Sequence, residues 1–276
     1  KGQIQVIDSS KTIVCDEMIY YRDHSKSAIA WGNVRMQEND RIITCDSLYY
    51  WKTDGYRETS FRAIGDVKIK GKDEFISAES VSYDDYTQIM DLFDSARLEK
   101  GNRKIQGDSL YIHFNDSLMK RVDVIGNAYA FNDVDAKISE DSGLYKFMDV
   151  MNSKKMITDF DGQDITKVKM VGMASALYNV IEDTLLQGYN DVSGDTVLLS
   201  FNDDVLNRME VFGGCRGSFV PEGNNSGVDS TVVYRADFID YRIDEERSYF
   251  KRNSRIDYKE TTLEADYVRV DWKSNI

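Results

Sequence analysis

The chain has 276 residues, 41% of them hydrophobic and 12% aromatic, with a single proline, which is the composition of a folded protein rather than a disordered one. A formal net charge of −13 without any clustered Lys/Arg stripe argues against a nucleic-acid surface, which needs gathered cations to displace counterions from phosphates. No apolar run reaches the length of a membrane helix, and Cys15, Cys45 and Cys215 form neither a CxxC pair nor a metal spacing with His24 or His113.

From Ile13 onward one strand-like phrase recurs: an apolar residue, a spacer, a small residue, usually an acid, then apolar positions three and five beyond the small one. In chain order the copies are Ile13-Cys15-Asp16-Met18-Tyr20, Ile43-Cys45-Asp46-Leu48-Tyr50, Ile76-Ala78-Glu79-Val81-Tyr83 and Ile105-Gly107-Asp108-Leu110-Ile112. Later come Val192-Gly194-Asp195-Val197-Leu199, Tyr234-Ala236-Asp237-Ile239-Tyr241 and Leu263-Ala265-Asp266-Val268-Val270. Each copy alternates with period two, but the phase slips by one at the acid. One face stays buried only if the strand bends there, through a bulge or corner.

A second phrase precedes most copies, as in Ala30-Trp31-Gly32-Asn33-Val34, Ala63-Ile64-Gly65-Asp66-Val67 and Val124-Ile125-Gly126-Asn127-Ala128. From Gly32 to Cys45 and from Gly65 to Ala78 is 13 residues, and Asp94 to Gly107 and Arg252 to Ala265 keep that interval without the glycine. Residues 101–130 align without a gap to residues 188–217 at an offset of 87, read here as three repeats of 29. Over residues 131–187 the pattern is degenerate, with Ile138-Ser139-Glu140-Asp141 and Ala174-Ser175 as its worn copies. The total is about nine repeats, hence about eighteen bent strands in one domain over residues 1–276. The stretch PEGNNSGVDS, residues 221–230, is the candidate long loop. The start at Lys1 and the end inside the strand-like VRVDWKSNI suggest a fragment of a longer protein with any targeting segment removed.

The carboxylates occur once per repeat, at the bend, where a structural role fits better than catalysis, which needs two unlike acids at one place. His113 is out of phase with Leu110 and Ile112 and is expected at the surface. Cys15 and Cys45 hold equivalent small positions and are expected as free thiols. Tyr20, Tyr50, Tyr83 and Tyr241 recur at one position, which is first of all core packing. Phosphate loops, nucleophile elbows and metal clusters are missing from the sequence, so no catalytic residue, metal or cofactor is expected, and the chain does not look like an enzyme.

The alternation of A-x-G-[DN]-V with I-x-[AC]-D-x-L-x-Y resembles the OstA-like family of lipopolysaccharide transport, which takes in the bridge protein LptA and the periplasmic domain of the translocon LptD. GNVRMQENDRIITCDSLYYW, residues 32–51, carries the resemblance most closely. The resemblance implies an all-β, elongated, antiparallel V-shaped β-jelly roll whose apolar trough shelters lipid A acyl chains on their way to the outer membrane. It also implies a periplasmic location, attached to or part of an outer-membrane protein, and partnership with other Lpt components by edge-strand addition. The residues expected to line the trough are Ile43, Cys45, Leu48, Tyr50, Val67, Ile69, Ile76, Ala78, Val81, Tyr83, Ile105, Leu110, Ile112, Val124, Val197, Leu199, Ile239 and Tyr241. Periodicity alone leaves open a parallel β-helix that binds or cleaves polysaccharide on an outer strip.

Overall fold

A computed structural model describes residues 4–7, 11–21, 27–51, 60–116, 118–223 and 226–272; His24 lies outside them. Among the described residues there are seventeen strands and no helix. They are β1 (Ile4–Ile7), β2 (Lys11–Cys15), β3 (Glu17–Tyr20), β4 (Ala28–Glu38), β5 (Arg41–Trp51), β6 (Ser60–Lys70), β7 (Glu74–Asp84), β8 (Ile89–Lys100) and β9 (Arg103–Asn115). They continue with β10 (Leu118–Lys137), β11 (Leu144–Asp161), β12 (Asp164–Glu182), β13 (Leu185–Asn202), β14 (Val205–Pro221), β15 (Val232–Arg242), β16 (Arg247–Tyr258) and β17 (Thr261–Asp271). From β4 to β9, and again from β11 to β17, each strand pairs antiparallel with the next. β1 pairs with β2, and β2 and β3 are two pieces of one strand along β4. A single bridge, Lys137 to Leu185, is parallel.

The antiparallel, all-β architecture of bent strands is therefore the one expected. The parallel β-helix is overturned, because its coils would pair each phrase in parallel with its next copy, whereas here acid-phrase and glycine-phrase strands alternate. Contacts divide the chain into two compact units, Lys1–Gly126 and Asn127–Ile276, with the boundary inside β10.

The bends have one construction. On every glycine-phrase strand two consecutive residues take left-handed φ: Gly32-Asn33, Gly65-Asp66, Asp94-Ser95, Gly126-Asn127, Gly172-Met173, Gly213-Gly214 and Arg252-Asn253. On β4, β6, β8, β12, β14 and β16 the doublet falls at a register shift and faces a single residue of the neighbouring strand; Trp31 pairs with Ser47 and Val34 with Cys45, leaving Gly32 and Asn33 opposite Asp46. That is a bulge of two residues against one. The sequence slip is thus real, but its extra residue sits on the glycine strand while the acid sits opposite. The extra residue also keeps the alternation on β6 unbroken, with Phe61, Ala63, Gly65, Val67 and Ile69 all buried, while its neighbour β7 slips from Ala78 to Val81.

Why glycine and acid occur together follows from packing. A Cβ placed on Gly65, at φ +85°, would lie 2.3 Å from Asp46 Oδ2, and one on Gly213, at φ +75°, would lie 2.2 Å from Asp195 Oδ2. The acid occupies the volume the missing side chain leaves. Where the doublet ends in Asn, its amide donates back to an acid: Asn33 Nδ2 to Asp16 Oδ2 at 2.9 Å and Asn253 Nδ2 to Asp237 Oδ2 at 3.0 Å.

Three details of the sequence reading are corrected. Residues 138–143 form a turned connection rather than a worn strand copy. The copy there is Ser153-Lys154 on β11, where Ser153 is buried, Met156 and Thr158 follow in the slipped phase, and Lys154 stands over Gly172. The lysine in place of the acid hid it. Ala174-Ser175 belongs instead to a glycine phrase, immediately after the Gly172-Met173 doublet. Finally, the offset of 87 spans two strand pairs, β9/β10 to β13/β14, because strands β10 to β13 have 18 to 20 residues where β4 to β7 have 11.

Candidate functional site

Each bend folds a strand back over itself, so within a unit the buried residues before the bend face those after it. In the first unit Met36, Ile43, Cys45, Val67, Ile69, Ile76 and Ile105 line one half-sheet, and Leu48, Tyr50, Phe61, Val81, Leu92, Leu110 and Ile112 the other. Contacts cross between them. Lys11 Nζ lies 4.5 Å from the centroid of the Tyr50 ring, and Phe61 shares a cavity with Met36 and Ile43. That cavity, of about 250 Å³, opens at the hairpin turns away from the bends, with Glu38, Arg41, Lys72 and Glu74 on its rim. Its floor is apolar and its rim is charged with both signs.

The second unit has the same plan with a different lining. Met156, Met170, Leu186, Val197, Leu199, Met209, Val211, Ile239 and Phe250 are buried, and Tyr234 packs across to Tyr241 and Phe250 with ring centroids 6.0 and 5.4 Å away. A cavity of about 310 Å³ opens at its turn end, walled by Val180, Ile181, Phe219, Ile243 and Trp272. Its floor is polar. Asn190 Nδ2 donates to Tyr178 Oη at 2.8 Å, and Tyr234 Oη donates to Asn190 Oδ1. Burial pushes the Tyr178 phenol up to about 12 and raises Tyr234 and Tyr241 further. Tyr241 Oη interacts with the Tyr234 and Tyr178 phenols but makes no hydrogen bond of normal geometry, an arrangement that costs stability unless another group meets the hydroxyl. Asp149, which receives Asn179 N at 2.8 Å and Asn179 Nδ2 at 2.9 Å, is held above the usual carboxylate range by burial.

All eighteen residues expected to line a trough are buried, none more than 8% exposed. The structure distributes them over the two interiors, fourteen from Ile43 to Val124 in the first unit and Val197, Leu199, Ile239 and Tyr241 in the second. The tyrosine position is less uniform, since Tyr50, Tyr83 and Tyr241 are buried while Tyr20 is 46% exposed. His113 is half-buried on the outer face rather than free in solvent, with Nε2 3.1 Å from Asp123 Oδ2. Cys15, Cys45 and Cys215 are buried free thiols. Burial and the adjacent Asp46 push Cys45 up to about 12, and burial lifts Cys215 to about 11.

Sequence reasoning caught Val67, Ile69 and Val124 on the glycine strands but missed others there, such as Met36, Phe61, Leu92, Met209 and Phe250, because it mainly followed the acid phrase. It also missed Asn190, whose in-phase position two before Val192 was the available signal.

The family described as LptA/(LptD N-terminal domain) LPS transport protein matches residues 12–137, from β2 to the end of β10. This segment is similar to that family. The LptA/LptD-type segment covers just under half of the chain, and β11 to β17 lie beyond it. A crystal structure of LptH from Pseudomonas aeruginosa, described as the LptA homologous periplasmic component of the lipopolysaccharide transport device, aligns with a TM-score of 0.35 and 9% identity. The alignment covers 50% of this chain and 92% of that one. No curated protein sequence matches the chain.

Proposed function

We propose that the chain is a periplasmic lipopolysaccharide-binding conduit that shelters acyl chains during transport to the outer membrane and carries out no covalent chemistry. The observation that carries the reading is the repeated burial of one apolar stripe per strand, closed at the bends and open at the turn ends. The LptA/LptD-type segment supplies the lipid class. The gapless match of residues 101–130 to 188–217 extends the same construction to the second unit. Because the lining side chains are sealed against one another, an acyl chain enters by parting the half-sheets at the turn ends. It exchanges one apolar surface for another, at about 0.8 kcal/mol per buried methylene, with no single deep well to trap it.

The outer edge of β17 has no partner among the described residues, and its exposed Leu263 and Tyr267 suit strand addition by another transport component. Through such a contact the chain would attach to an outer-membrane protein.

The test is photo-crosslinking with benzoylphenylalanine at aromatic positions that tolerate its bulk. Tyr50, Tyr83 and Tyr241 should capture lipopolysaccharide, whereas the exposed Tyr86 and Tyr145 should not. Equal capture from both sets overturns the conduit.

A further inference from the structure

The outer face of the first unit departs from the plain polar surface that the repeat would produce. One cross-strand row runs Tyr49, Arg62, Ser82, Asp91, Tyr111, each paired with the next across β5 to β9. The adjacent row contains Ser80 and Phe93. All of these except Tyr111, together with Trp51 and Asp84, line a surface groove of about 420 Å³. Tyr49, 41% exposed, and Trp51 stack with centroids 5.0 Å apart and planes 24° apart, forming one flat wall. Phe93, 37% exposed, forms the other, backed edge to face by Tyr111 at 5.9 Å.

Between these aromatic walls are two polar groups that the fold does not use. Neither Arg62 nor Asp91 has an ion pair or a side-chain hydrogen bond among the described residues; Asp91 feels His113 and Asp84 only through space. Two strands separate them, about 9.6 Å at about 4.8 Å per strand, with Ser82 between. No ion pair joins them across that gap, which leaves room for a ring lying across Ser82.

From this juxtaposition we infer that the groove is a carbohydrate site, whose occupant is a neutral oligosaccharide. A pyranose presents apolar C–H faces, which flat exposed aromatic rings accept, and equatorial hydroxyls that both donate and accept, which Arg62, Ser82 and Asp91 satisfy as donor, donor-acceptor and acceptor. Arg62 stands against two lining carboxylates, Asp84 and Asp91, so the groove carries no net positive charge and favours an uncharged ligand over a polyanion. The volume lies within the range of ordinary ligand clefts, about 300–1,000 Å³. This site lies on the opposite face of the sheet from the buried stripe and does not depend on the conduit reading.

The experiment is titration of the 276-residue chain with cellotetraose, laminaritetraose, maltotetraose and the anionic tetragalacturonic acid, followed by calorimetry and ligand-observed NMR. At least one neutral tetrasaccharide should bind. Tyr49→Ala, Arg62→Ala and the isosteric Asp91→Asn should each weaken it about tenfold, the loss of one strong contact. Arg235→Ala, on the exposed face of β15, should leave it unchanged. Absence of binding by every neutral saccharide, equal affinity in the groove variants, or preference for the anionic one overturns the inference. These sugars carry no acyl chain, so that result leaves the lipid reading standing, and failed lipid crosslinking leaves this one standing.

Discussion

The seating of an acid over the glycine at each bend has a quantitative consequence for Gly213→Ala. Alanine at φ +75° is held in the left-handed region, which costs about 1–2 kcal/mol. Its Cβ would also sit 2.2 Å from Asp195 Oδ2 and 2.8 Å from Cγ, driving that side chain out of its rotamer for about 1 kcal/mol more. The reduced freedom of the unfolded chain returns about 0.5 kcal/mol, so the net loss is about 2 kcal/mol. Removing Asp195 beyond its Cβ, which would be 2.9 Å away, relieves the second term only. In the Gly213→Ala background, Asp195→Ala should therefore restore about 1 kcal/mol, whereas in the native background it should be neutral or slightly destabilising. Urea unfolding followed through Trp272, which lies in the same unit, would supply the four midpoints of this cycle. Strict additivity, with the double variant no more stable than Gly213→Ala, would refute the idea that the acid fills the glycine's missing volume.

Three further outcomes are expected. At pH 8 an aromatic disulfide reagent should leave Cys15, Cys45 and Cys215 untouched in the native chain and label all three in denaturant, since burial raises every one of these thiols, Cys45 to about 12; rapid native labelling would contradict their packing. Asp240 is 2% exposed; burial opposes its ionisation, but Arg208, donating at 2.7 and 3.0 Å, holds its pKa below the usual carboxylate range, so Arg208→Met should cost about 1.5–3 kcal/mol at neutral pH. A depressed folded-state pKa contributes stability above the unfolded value near 3.8 and loses it as pH falls through the folded value, so the gap between native and variant should narrow in acid and not in base. Asp266→Pro in β17 should abolish concentration-dependent association measured by sedimentation if that edge accepts a strand, and leave it unchanged if association uses another surface.

The fold was legible because its two phrases encode geometry directly. The slip between Cys45 and Leu48 is a count of residues across a bulge, and the 13-residue interval from Asp94 to Gly107 marked Asp94 as the glycine-phrase position, where the structure places the doublet Asp94-Ser95. The same logic failed where side-chain chemistry changed but backbone geometry did not. Lys154 replaces the acid, its aliphatic stem covers Gly172 instead, and the copy disappeared from the pattern. The lining was legible in part, since the acid strands keep strict periodicity around Leu48, Val81 and Leu110. The polar floor formed by Tyr178, Asn190 and Tyr234 was not, because Tyr234 comes to it from β15, 44 residues beyond Asn190. The outer groove was least legible of all, since Tyr49, Arg62 and Asp91 look like ordinary exposed positions until the register aligns them.

Within each unit the left-handed doublets act mechanically as the spine of a book. The spine is held by backbone geometry and by acids seated over glycines, while the fore-edge is held only by contacts between side chains and by short hairpin turns. Any movement that admits cargo then concentrates at the fore-edge and leaves the crease where it is. Amide exchange should record that asymmetry directly, slow beside Gly65 and Gly213 and fast toward the turns at Asn39 and Glu246.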